Sequence, residues 1–137
     1  MGRILAIDFG LKRTGLAITD PMQIIASPHE TIPSRELLSY IRSYAEQEVL
    51  DAIVIGMPKN LKGEDTDTTA SVINFVRKLK KHLPEIPVYE EDERFTSKIA
   101  QREMISGGMS KKDRRVKGNV DKISATLILQ SFLERRQ

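Results

Sequence analysis

The sequence predicts an α/β domain, a mixed five-stranded sheet with helices on both faces. Three observations carry this. Apolar runs too short for helices, in residues 3–10, 16–20 and 52–56, read as strands, and the first and last as strands buried on both faces. Between and after them, apolar residues recur at helical spacing. The order is three strands, then helix, strand, helix, strand and two helices, which gives a three-strand meander followed by helices alternating with strands.

Residues 3–10 read Arg-Ile-Leu-Ala-Ile-Asp-Phe-Gly, a strand that ends in a carboxylate and a glycine. Alternation puts Asp8 on the face of Ile4 and Ala6. Gly15 bounds the turn into the second strand, residues 16–20, and Pro21 stops it. Residues 24–32 form a third strand that Pro28 confines to an edge or a bulge. Ser34 is a candidate cap for a helix to about Glu48, with Leu37, Leu38, Ile41, Tyr44 and Ala45 on one stripe. After the strand 52–56 comes a loop holding Pro58 and Gly63. Asp65, Thr66 and Asp67 offer caps for a helix with Val72, Val76, Leu79 and Leu83 buried and Lys78, Lys80 and Lys81 at its C-terminal end. Residues 88–90 make the last strand. Thr96 or Ser97 caps a helix over 98–106, closed by Gly107 and Gly108. A basic loop follows, and Asn119 caps a final helix to about Arg136.

The 137 residues suffice for one domain, 1–137, with a core of its own. There is no cysteine, which excludes disulfides, thiolate metal sites and cysteine nucleophiles. No run approaches the length of a membrane span, and the N-terminus lacks a signal-peptide pattern, so a cytoplasmic protein with no membrane partner is expected. Net charge is only +3, but it is unevenly spread. Lys111, Lys112, Arg114, Arg115 and Lys117 stand against the single acid Asp113, a segment suited to a polyanion such as nucleic acid. Glu90, Glu91, Asp92 and Glu93 form a compact acidic block suited to a hard divalent cation. Solvated loops are the plainer reading of both.

An ionised carboxylate on a covered strand face is costly unless paired. Asp8 is therefore either a metal ligand at the end of a central strand or a turn-capping aspartate. Asp121 falls in the first turn of the last helix, on the stripe of Ser124, Ala125, Ile128 and Phe132. Dipole stabilisation explains an acid there equally well. If Asp8, the Asp92/Glu93 pair and Asp121 converge, they cannot all ionise without cations. With Mg²⁺ or Mn²⁺, such a cluster suits phosphodiester hydrolysis without histidine or cysteine. His29 and His82 are left outside the site.

Four patches are similar to one family. They are Asp8-Phe9-Gly10-Leu11-Lys12-Arg13-Thr14-Gly15; Gly56-Met57-Pro58-Lys59-Asn60 with Gly63; Asp92-Glu93-Arg94-Phe95-Thr96-Ser97; and Asp121 through Ile128-Leu129-Gln130. On these the chain resembles the YqgF (RuvX) family, Holliday junction resolvase-like proteins of the ribonuclease H-like fold. The resemblance implies a cytoplasmic, metal-dependent nuclease that matures the 5′ end of pre-16S ribosomal RNA, with Asp8, Glu93 and Asp121 as catalytic and metal-binding acids. Alternation admits only one of Asp92 and Glu93, and the resemblance favours Glu93. Paired alanines after the family's aspartate are replaced here by Ser124-Ala125-Thr126, still small. Lys12, Arg13, Arg94 and the five cations of the basic segment are candidate phosphate contacts. Arg94 could equally neutralise Asp92 or Glu91. The partner is structured RNA or branched DNA, and a homodimer stays open. The competing readings are a Holliday junction resolvase, an actin-like phosphotransferase, which one domain of this size cannot complete, and a non-catalytic nucleic-acid-binding module.

Overall fold

The structure, a computed structural model, describes residues 2–57, 68–92 and 117–136, with side chains in the last segment from residue 122 onward. Strands β1 (Arg3–Asp8), β2 (Arg13–Thr19), β3 (Ala26–Pro33), β4 (Leu50–Met57) and β5 (Val88–Asp92) form one sheet in the order β3-β2-β1-β4-β5. β1 pairs antiparallel with β2 and parallel with β4, and β4 pairs parallel with β5. The mixed sheet and the central place of β1 are as expected.

β3 lies at the edge, where proline is tolerated. It also carries a bulge: Leu16 pairs with Glu30 and Ala17 with Pro28, so His29 is the extra residue. The bulge turns His29 toward the first helix, where its Nε2 lies 2.7 Å from the Tyr40 hydroxyl and its ring meets Tyr44 edge-on.

A 3₁₀ turn (Ser34–Glu36) leads into α1 (Leu37–Gln47). Here the structure corrects the expected cap. Ser34 does not cap α1. Its hydroxyl donates to the Gly10 carbonyl at 2.5 Å and so takes its other bond, at 2.8 Å, from the Thr14 hydroxyl. Its amide donates to the Lys12 carbonyl at 2.9 Å. Ser34 thus fastens the β1–β2 turn, a long-range role that local capping logic does not reveal.

α2 (Thr69–His82) buries Val72, Phe75, Val76 and Leu79, with Leu83 buried just past its end. The third described helix, α3 (Lys117–Arg136), includes both Lys117 and Asn119, so Asn119 lies within the helix and does not cap it. The expected helix 98–106 and the caps Asp65, Thr66 and Asp67 lie outside the described residues. No helix among the described residues is long and apolar enough to cross a membrane.

Both sheet faces are covered. Leu5, Ile7, Leu16, Ile18, Ile53 and Ile55 pack with Leu37 and Ile41 of α1 and the buried stripe of α2. Ile4, Ala6, Ala17, Ala52 and Val54 lie under Ala125, Ile128, Leu129, Phe132 and Leu133 of α3. The direction of α3 is fixed at its C-terminal end. Arg136 donates to the Gln23 amide oxygen at 2.9 Å, and the Gln23 amide nitrogen donates to the Gly2 carbonyl and the Asp51 carboxylate, each at 2.7 Å. Gly2 and Asp51 sit where β1 and β4 begin. The opposite edge of the sheet is the one where β1, β4 and β5 end.

Candidate active site

At that far edge, β1 delivers Asp8 on the face of Ile4 and Ala6, the face α3 covers. Its antiparallel partner on β2 is Gly15. On the other side Ile7 pairs with Ile55, so the next step of the register sets Gly56 beside Asp8. The half-buried carboxylate is thus flanked on both neighbouring strands by residues without side chains. A glycine on each side leaves room at this face for a ligand to approach.

The β1–β2 turn is tight because a Cβ on Gly10 would collide with the Arg13 carbonyl oxygen. Ser34 holds the turn from outside, and Lys12 and Arg13 are exposed on it, at the same edge as Asp8. The structure thus brings Asp8, Lys12 and Arg13 together.

Asp92 ends β5 opposite Met57, and Met57 packs with α1 and α2. Asp92 therefore falls on the sheet face opposite that of Asp8. Glu91 is on Asp8's face, in register with Gly56, but its carboxylate is already engaged. It accepts from Arg135 Nη2 at 2.6 Å and from the Ser131 hydroxyl at 3.3 Å, and its side chain is 11% exposed. This clamp of β5 to α3 went unseen in a sequence reading that took the acidic block as a unit. The signal was the parity of residues 89 and 91, which puts Tyr89 against Phe132 and Glu91 against Arg135.

Asp121 belongs to the first part of α3, and its side chain is outside the described residues, as is that of Lys117. Glu93, Arg94, Lys111, Lys112, Arg114 and Arg115 also lie outside them. Among the described residues, no three His, Asp or Glu side chains gather as a metal-binding group. The histidines stand apart from Asp8. Burial pushes His29 below its ordinary value, and His82 is exposed at the end of α2.

Residues 2–135 match the family profile described as "RuvX: Holliday junction resolvase". A protein of Bacteroides fragilis named "Putative pre-16S rRNA nuclease" is 51% identical over 137 residues, which is 100% of this chain and 99% of that protein. A protein of Amoebophilus asiaticus bearing the same name is 47% identical over 133 residues, 97% of this chain and 94% of its own. Among solved structures, Thermus thermophilus RuvC in complex with a Holliday junction substrate superposes with a TM-score of 0.58 at 14% identity, covering 99% of this chain and 96% of that one. A second T. thermophilus RuvC structure gives 0.54 at 11% identity, covering 98% and 96%. The fold is ribonuclease H-like.

Proposed function

The chain belongs to the RuvX family, and from that premise we propose that it is a divalent-metal-dependent nuclease acting on structured RNA, with the 5′ end of pre-16S ribosomal RNA as its substrate. The observation that carries the reading is the setting of Asp8. A carboxylate stands at the end of the central strand between two glycines, with two exposed cations on the adjoining turn.

Glu93 and Asp121 are the acids proposed to join it. With Asp92 turned to the opposite face, the next acid along the chain is Glu93. Asp121 is supported by its place on α3, the helix that covers the sheet face bearing Asp8. The small residues Ser124, Ala125 and Thr126 are buried and let this part of the helix lie close to the sheet.

Carboxylate oxygens are the donors that Mg²⁺ and Mn²⁺ prefer, and the glycine-flanked Asp8 fits such an ion. A bound divalent cation would supply polarisation of water and charge stabilisation at the phosphorus centre. Asp8, Glu93 and Asp121 would hold it. Lys12, Arg13 and Arg94, with Lys111, Lys112, Arg114, Arg115 and Lys117, would grip flanking phosphates and orient the strand. With no histidine at the edge, proton transfer falls to solvent and carboxylates.

A junction-resolving activity on branched DNA is the second reading, favoured by the family's description. One assay separates the possibilities. Purified protein is given a pre-16S RNA 5′ fragment and a four-way DNA junction, each with Mg²⁺, Mn²⁺ or chelator, beside Asp8→Asn. Metal-dependent cleavage of RNA that Asp8→Asn lacks supports the first reading. Cleavage confined to the junction moves the function to DNA. Binding of both without cleavage under any metal leaves a non-catalytic module.

A further inference from the structure

The edge where β1 and β4 begin, opposite the acids, carries an apolar projection with no role in the reaction. Met22, Ile24, Ile25 and Val49 are 63%, 69%, 64% and 68% exposed. They cluster around Gly2. Gln23 bonds to its carbonyl, and a Cβ on Gly2 would run into Val49. A patch of this kind marks an interaction surface.

The projection is rigid. One Asp20 carboxylate oxygen accepts the Ile24 and Ile25 amides at 2.9 and 2.8 Å, and the other accepts the Met22 amide at 3.1 Å. The Ile25 and Ile24 amides hold this carboxyl below its ordinary value. The Asp20 carbonyl takes the Gln23 amide at 2.9 Å, and Gln23 has a φ of 59°, a left-handed conformation a non-glycine residue rarely adopts. A surface held this way pays little ordering entropy on binding.

Beside it lies an open cavity of about 440 Å³. Ala52, Tyr89 and Phe132 form its apolar lining, and Gln23, Asp51, Arg135 and Arg136 its polar part. An apolar cavity of about 150 Å³ holds benzene, so this one admits an aliphatic side chain or two. Gln23 belongs to both projection and cavity, so they adjoin.

We propose that this edge is a two-fold interface between two copies of the chain, with Met22 and Ile24 of each seated in the cavity of the other. Two features favour a second copy over nucleic acid. Asp20 and Asp51 flank the projection and would repel phosphates. The cavity carries Asp51 and two arginines, Arg135 and Arg136. Arg135 is already paired with Glu91 at 2.6 Å and the hydrogen bond of Arg136 goes to the neutral Gln23 amide, so Asp51 and Arg136 are the charges left to pair across an interface. A two-fold axis sets Asp51 of one copy against Arg136 of the other, twice, which is the self-complementarity an isologous interface requires. The interface lies at the edge away from Asp8, so the two catalytic edges point outward and each acts on its own strand.

Sedimentation velocity tests this on the full chain. The wild type is expected to dimerise reversibly by about 100 µM, and Ile24→Asp to weaken the association at least about tenfold. Asp51→Lys makes the charged pair wholly basic and Arg136→Glu makes it wholly acidic. Each alone should stay monomeric, and an equimolar mixture should form a heterodimer. Circular dichroism melts confirm that each variant is folded. A wild type that stays monomeric at that concentration overturns the proposal, as does an Asp51→Lys and Arg136→Glu mixture that fails to pair while both are folded. It is also overturned if an oligoribonucleotide shifts the Tyr89 resonances of a protein that does not self-associate, which would make the cavity a nucleic-acid contact.

Discussion

On the face under α1 and α2, the three inner strands present Leu5, Ile7, Leu16, Ile18, Ile53 and Ile55. On the face under α3 the same strands present Ile4, Ala6, Ala17, Ala52 and Val54, and then Asp8. The first face buries large branched side chains and contributes most of the apolar area. The second sets three alanines beside Ile4 and Val54, so a helix can approach closely and a carboxylate can stand between two glycines. The larger apolar area and the proposed chemistry thus fall on opposite sides of one sheet.

The division can be broken from either side. The largest effect is expected on the α3 side. Asp8→Asn should lower metal-dependent cleavage at least about a thousandfold, some 4 kcal/mol of barrier, and leave the melting temperature without metal unchanged or raised. Added Mg²⁺ should stabilise the wild type more than this variant. Cleavage at the wild-type rate would remove Asp8 from the site. On the other face, Ile55→Ala and Leu5→Ala remove fully buried side chains and should cost about 2–5 kcal/mol in urea unfolding. A loss near zero would contradict the central-strand assignment.

Smaller effects sharpen the contrast. Ala17→Leu adds bulk where α3 lies close, and should cost about 1–3 kcal/mol by overpacking. The same urea titration would show no loss if the helix stood away from the sheet. Arg135→Met breaks the clamp on Glu91, but the arginine is 60% exposed, so solvent screening holds the loss to about 1 kcal/mol or less. The smallest effect concerns pH. Desolvation lowers the His29 pKa, with Arg3 lowering it and Glu30 raising it. The folded state then prefers the neutral ring. Its contribution is present above the ordinary value of 6.5 and is lost as pH falls below it through the folded value. His29→Gln should reduce the fall in melting temperature between about pH 7.5 and about pH 5.5. An equal fall in wild type and variant would assign it to other groups.

Period and alternation made much of this legible in the sequence. The run 4–7 announced a buried strand, Pro28 an edge, and the parity of Ile4, Ala6 and Asp8 the face of the carboxylate. What escaped depended on partners distant in the chain. Ser34 looks like a cap from its neighbours alone, yet it bonds residues twenty and more positions away. Glu91 looks like one member of an acidic block until Arg135 is set beside it. The face of Asp92 needed the register of β5 on β4, which no single strand contains. The family likeness supplied Glu93 and Asp121, and strand periodicity alone would not have joined either to Asp8.

The place of α3 in the chain has a consequence during synthesis. All five strands precede residues 117–136, so they emerge from the ribosome before the helix that covers Ile4, Ala6, Ala17, Ala52 and Val54. Until then this face has no cover from α3. A chain built in this order carries an uncovered apolar sheet face until residues 117–136 emerge.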